Sequence, residues 1–107
     1  MNVEIQGQVV SVVNQTITMK NNEQRAMQLV QIANKQNGQI VVDGFEVWDE
    51  QVQTFGLAQG QNVKVVCRMM VDTWGGRFRY TLRAFKCEQV AVQQEQQKQD
   101  PNNPNWL

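Results

Sequence analysis

Half of the ten basic residues in this 107-residue chain lie in one short stretch, at Lys64, Arg68, Arg77, Arg79 and Arg83, with Trp74 and Phe85 among and beside them. Guanidinium and ammonium groups hold phosphates, and exposed aromatic rings stack on bases of any sequence, so this mixture has the chemistry of a single-strand nucleic-acid surface. The plain alternative is a solvated strand face, since an antiparallel sheet normally turns one polar side to water. The clustering of charge and aromatic rings favours the binding reading. Trp74 is the foremost stacking candidate; a ring folded back onto Arg77 or onto a partner subunit stands level with it.

The element that must position these residues is a β-hairpin. Gly75-Gly76 tolerates the positive φ angles of a tight turn and is flanked by two alternating runs. Centring the turn there sets Trp74 opposite Arg77, Asp72 opposite Arg79, Met70 opposite Thr81, Arg68 opposite Arg83, Val66 opposite Phe85 and Lys64 opposite Cys87. The other face then carries Val65, Cys67, Met69 and Val71 against Lys86, Ala84, Leu82 and Tyr80. A slip of one residue would mix core and solvent faces, so the pattern selects this register. Asp72 is the one acid on the basic face, and the opposed Arg68 and Arg83 repel unless an anion or a carboxylate offsets them. Tyr80 counts as core. Cys67 and Cys87 fall on opposite faces in this register, which argues against a disulfide and fits a reducing compartment.

Enzymatic chemistry finds little support. The chain has no His, no CxxC pair, no phosphate-cradling glycine loop and no carboxylate pair in an evident pocket. The expectation is a non-enzyme with no cofactor and no metal. No run of apolar residues is long enough for a membrane helix, and Met1-Asn2-Val3-Glu4-Ile5 lacks the features of a signal peptide, which points to the cytoplasm. An apolar fraction of 41% suits one globular domain with a modest core. The net charge of zero weighs against non-specific nucleic-acid binding, which draws on counterion release, but local clustering matters more than the sum. Asn and Gln number 28 of 107 and supply hydrogen bonds without charge; no function follows from that bias.

Along the chain, residues 3–13 alternate as a first strand, with Gly7 marking a bulge or bend. Asn14-Gln15 and Asn21-Asn22 punctuate a loop. Residues 25–33 form a second strand, and Asn37-Gly38 turns the chain into a third that continues to Trp48. Asp49 is a plausible helix N-cap, with Val52, Phe55 and Leu57 at the spacing of one buried face and Gly56 or Gly60 at the end. Five strands with a helix between the third and fourth describe an all-β oligonucleotide/oligosaccharide-binding (OB) barrel over residues 1–90. An SH3-like barrel is the alternative. Residues 91–107, rich in Gln and Asn and holding both prolines, read as a flexible tail.

Phe45-Glu46-Val47-Trp48, Gly60 before Val63 and Val65, Trp74 with Gly75-Gly76, and Arg79-Tyr80-Thr81 occur in an order that resembles the bacterial single-stranded DNA-binding proteins, and closer still a group of short, little-characterised relatives. The resemblance covers residues 45–88. It implies DNA held by stacking and phosphate contacts on the strand-four/five hairpin, with Trp74, Arg77 and Arg79 as contacts and Arg68, Arg83, Lys64 and Phe85 on the same face. Trp48 resembles a position where such proteins place a stacking aromatic; burial beside Phe45 or Phe55 is the preferred alternative. The family's acidic tail tip is missing. Trp106-Leu107 with a carboxylate resembles a terminal docking signal for replication or repair proteins, although packing of Trp106 on its own domain is preferred without the acids.

Two function classes therefore stand. The first is a sequence-tolerant single-stranded DNA-binding protein of replication, recombination or repair, with RNA left open because the stacking argument serves either backbone. The second is a protein-binding adaptor or accessory primosome subunit without strong DNA affinity. A homodimer or homotetramer is expected, since a small barrel leaves strand edges that pairing would protect, with the first strand as the edge.

Overall fold

Alternation of apolar and polar residues carries the chain through β1 (Asn2–Thr18), β2 (Gln24–Gln36), β3 (Gln39–Trp48), the helix α1 (Glu50–Phe55), β4 (Asn62–Trp74) and β5 (Arg77–Gln89). The computed structural model describes residues 1–90, so the tail with Trp106 and Leu107 lies outside the described residues. The sheet closes on itself in the order β1-β2-β3-β5-β4, an OB barrel as the element order predicts.

Two turns behave as their dipeptides require. Asn37 and Gly38, and Gly75 and Gly76, all have positive φ, the geometry of tight hairpin turns. The expected loop at Asn14-Gln15 does not form: both residues stay in β1, paired with Gln28 and Met27. Two short polar residues are weak breakers where a partner strand offers continuous hydrogen bonds, and the chain turns only at Met19–Glu23, with Asn22 at positive φ. Asn14 Oδ1 also accepts a hydrogen bond from Gln28 Nε2 at 2.8 Å, which pairs half of a buried amide.

The bulge in β1 lies between Val9 and Ser11 rather than at Gly7. Gly7 answers a different demand. A Cβ there would stand 2.4 Å from the Ala33 carbonyl oxygen and 2.7 Å from Ile32 Cγ2, so the backbone of β1 crosses β2 where no side chain fits. Residues 2–8 of β1 pair with β4, and residues 8–18 pair with β2.

The core is the alternate set that faces inward, with Ile5, Val9, Val30, Ile32, Phe45, Val47, Leu57, Val63, Val65, Cys67 and Ala84 in one cluster. Val52 and Phe55 of α1 pack against it. Asp49 does not cap the helix through its side chain. Its carboxylate instead receives the Arg25 guanidinium, with Nε 3.0 Å from both oxygens. An ion pair with a two-pronged donor outweighs one hydrogen bond to a helix N–H. The helix ends at Gly56, in the left-handed conformation.

Closure depends on a narrow seam. β3 and β5 run parallel and meet in register at Glu46 and Arg83. On the side of the paired turns, at Asn37-Gly38 and Gly75-Gly76, the two strands diverge. The β4–β5 hairpin thus continues beyond the barrel as an arm.

Candidate nucleic-acid interface

The arm keeps the predicted register from Cys67–Ala84 out to Trp74–Arg77, including Asp72 opposite Arg79 and Arg68 opposite Arg83. Nearer the barrel a bulge intervenes. Phe85 is the extra residue, Val66 pairs with Lys86, Lys64 with Glu88 and Val65 with Cys87, which corrects the expected partners of Val66, Lys64 and Val65. Alternation does not reveal this bulge, because Ala84 before Phe85 is small and Lys86 after it is polar, so the run reads as unbroken alternation. Cys87 therefore shares the inner face with Cys67. Both are free thiols. Burial pushes the Cys67 thiol up to about 12, with Cys87 adding to it, and burial also raises Cys87.

The basic face divides into three parts. At the barrel end, the Lys64 ammonium stands 3.1 Å from Glu88 and 3.3 Å from Glu4, and those hydrogen bonds, Glu88's first, raise its pKa. This lysine is held by carboxylates and offers little to a phosphate. Phe85 stays exposed on the bulge nearby.

In the middle lies a stack across the seam. Trp48 is not fully buried beside Phe45 or Phe55; it is partly buried on the outer face of β3. Arg25 lies over one part of its ring at 4.9 Å from the centroid and Arg83 at 4.7 Å. Trp48 Nε1 donates to Glu46 Oε1 at 2.8 Å, and an Arg83 terminal nitrogen is 4.0 Å from that same oxygen. Glu46 is the carboxylate that stands near Arg83, one member of the opposed Arg68–Arg83 pair. The hydrogen bond with Arg25 holds the Asp49 carboxyl below the usual range.

At the tip the groups stand open. Trp74 is 73% exposed. Arg79 is bound to Asp72 at 3.0 Å, whereas neither Arg77 nor Arg68 has a carboxylate within 4.0 Å among the described residues.

The second face of the arm differs from the expected core face. Val71 and Tyr80, expected in the core, are 52% and 62% exposed, and Phe78 beside them is 70% exposed. The alternation is real, but the arm has left the barrel, so its apolar face has no core to cover it. Tyr80 instead stands at the edge of a cleft of about 450 Å³, opened where β5 leaves β3 and floored by β1 and β2. Tyr80 and Phe78 are therefore candidates that sequence reasoning missed.

No group of three metal-ligating side chains occurs among the described residues, and none of their helices is long and apolar enough to cross a membrane.

No protein-family model matches the sequence, and a search of curated proteins finds no significant match. Solved structures do share the fold. The mitochondrial single-stranded DNA-binding protein Rim1 of S. cerevisiae aligns with a TM-score of 0.65 at 19% identity, over 84% of this chain and 95% of its own. The dimeric N-terminal domain of PriB from Thermoanaerobacter tencongensis aligns at 0.63 and 11% identity, over 85% and 97%. A small single-stranded DNA-binding protein from Streptomyces coelicolor aligns at 0.53 and 18% identity, over 84% and 92%.

Proposed function

We propose that this protein binds single-stranded DNA with little dependence on sequence, by stacking bases along the β4–β5 arm and holding phosphates with its arginines. The observation that carries the reading is the arm itself. Trp74, Phe78 and Tyr80 are exposed on a hairpin whose Arg77 and Arg68 lack a carboxylate partner among the described residues. Clustered exposed rings are unusual on a surface that contacts only water, and with unpaired guanidinium groups beside them they suit one that receives unstacked bases and their phosphates. The shared fold of proteins described as single-stranded DNA-binding supports it.

In this reading Trp74, Phe78 and Tyr80 stack, Arg77 and Arg68 hold phosphates, and Arg79 joins them by exchanging Asp72 for a phosphate. Arg83 and Trp48 form the wall where the strand meets the barrel. Lys64 and Phe85 lie at its margin. The protein acts in replication, recombination or repair in the cytoplasm and catalyses nothing. Each half of β1 has one sheet partner, so two copies can pair through the open halves, in keeping with the dimeric PriB domain of the same fold. The adaptor reading draws on Ile40 and Val42, both about half-exposed on β3.

The test is a tryptophan-fluorescence titration with single-stranded, duplex and RNA oligonucleotides of equal length, at low and moderate salt. Quenching with clear preference for the DNA single strand is expected. Absence of binding at low salt would sink the reading in favour of the adaptor, and equal affinity for RNA would broaden it to either backbone.

A further inference from the structure

The cleft between β3 and β5 is lined by more than apolar surface. Tyr80 stands on one side, Leu29 and Val13 on the floor, and Gly44 and Glu46 on the other side, with the Gln31 amide beside them. Glu46 is one of the lining residues and has one oxygen already used. Trp48 Nε1 and Arg83 both approach Oε1, while Oε2 has no hydrogen-bond donor among the described residues. The indole bond orients the carboxylate, and the neighbouring Arg83 offsets its charge. What remains is one charged acceptor on a residue that lines a cleft of mixed polar and apolar wall, with an aromatic ring at its edge.

We infer that this cleft is a base-selective subsite, in which a base stacked on Tyr80 donates an exocyclic amino hydrogen to Glu46 Oε2. The inference rests on the single-strand reading and narrows it at one position along the bound strand. Cytosine N4 and adenine N6 carry amino hydrogens at the rim of the base, where a side chain in the wall meets them, and a carboxylate accepting from cytosine N4 is an established form of base readout. Thymine offers instead a single N3 hydrogen between two carbonyl oxygens. Either carbonyl brought against a carboxylate sets acceptor against acceptor. Gly44 contributes room: with no side chain, it leaves that part of the wall flat.

The cleanest comparison uses two oligonucleotides of equal length at neutral pH, one of thymidine and one of 5-methyldeoxycytidine. These bases carry the same methyl group and differ in the edge that Glu46 would read. The 5-methyldeoxycytidine strand should bind roughly tenfold more tightly, the scale of one hydrogen bond to a charged group. Glu46→Gln keeps an acceptor for Trp48 Nε1 but adds a donor that suits thymine O4, so the preference should vanish or reverse. Gly44→Val fills the cleft from a position where a Cβ meets only the Val30 carbonyl oxygen, at 3.7 Å. It should leave residual binding along the arm that is indifferent to the base.

Equal affinity of the unaltered protein for the two strands would overturn the inference while leaving single-strand binding intact. A preference that persists undiminished in Glu46→Gln would overturn the role of the carboxylate. Binding of neither strand would overturn both this inference and the reading on which it rests.

Discussion

Trp48 and Trp74 stand on strands of one barrel, each beside arginines, and their surroundings could hardly differ more. Trp48 is overlain by Arg25 and Arg83, and its indole nitrogen is tied to Glu46. Trp74 projects from the arm with most of its surface in water, opposite an arginine that lacks a carboxylate partner among the described residues. The same residue types thus serve two ends. At the seam they pack on one another and stitch β3 to β5, where the backbone ladder is thin, although the buried Arg83 Nε has no hydrogen-bond partner among the described residues. At the tip they are left for something else to satisfy. An aromatic ring beside arginines is therefore a binding signal only where its faces and their charges are unspent.

The strongest way to break that contrast is to exchange the effects of removing each ring. Trp48→Ala should destabilise the fold by about 2 kcal/mol, short of a full core truncation because the ring is only half-buried, and measured by urea unfolding. Trp74→Ala should leave stability within about 0.5 kcal/mol, as exposed positions do. Its cost should appear in single-strand affinity, at about 1–3 kcal/mol for one stacked base. A Trp74 variant that unfolds early but binds normally would invert the assignment of the two rings.

How far the sequence foretold this arrangement depends on which principle governed each part. Hairpin register over most of the arm was legible because Gly75-Gly76 fixes the turn and alternation fixes the faces. Element order was legible because dipeptides such as Asn37-Gly38 have few conformations. Three things were not. The bulge at Phe85 moves Lys64 beside Glu88 and Cys87 to the inner face, and nothing local distinguishes a bulged residue from an alternating one there. The fate of Tyr80 and Val71 depended on where the arm outruns the barrel, a tertiary fact that a strand pattern does not carry. Apart from Glu88, opposite Lys64 on β5, the partners of Lys64, Arg25 and Arg83 come from β1, β3 and the residue before α1, far away in the chain, so a face that read as five free cations is in part neutralised.

That neutralisation ranks the arginines of the tip. Arg77 should contribute more to phosphate binding than Arg79, since Arg79 must first give up Asp72 at 3.0 Å. Arg77→Ala is expected to reduce the salt slope of single-strand binding by about 0.7, one phosphate contact, and Arg79→Ala by less. Asp72→Asn frees Arg79 and should bring its contribution up to that of Arg77. Equal slopes for both single arginine variants would mean that the ion pair does not compete with the nucleic acid.

The smallest expected effect separates the seam from the tip by pH. The hydrogen bond from Arg25, ahead of its charge, depresses the folded-state pKa of Asp49 below its ordinary 3.8. A carboxyl depressed in this way contributes stability that is fully present above its unfolded-state value and is lost as pH falls through the folded-state value. Acid should therefore loosen the Arg25–Asp49 pair, and with it the hold of Arg25 on Trp48, while leaving the exposure of Trp74 as it was. In a chain whose only tryptophan is Trp48, made by replacing Trp74 and Trp106 with Phe, the emission should shift as the pH drops from 4 through the acid range. Asp49→Asn, which cannot titrate, should flatten that shift. If Asp49→Asn leaves the acid response unchanged, another carboxylate governs the seam, and Glu46, bonded directly to the indole, becomes the group to alter next.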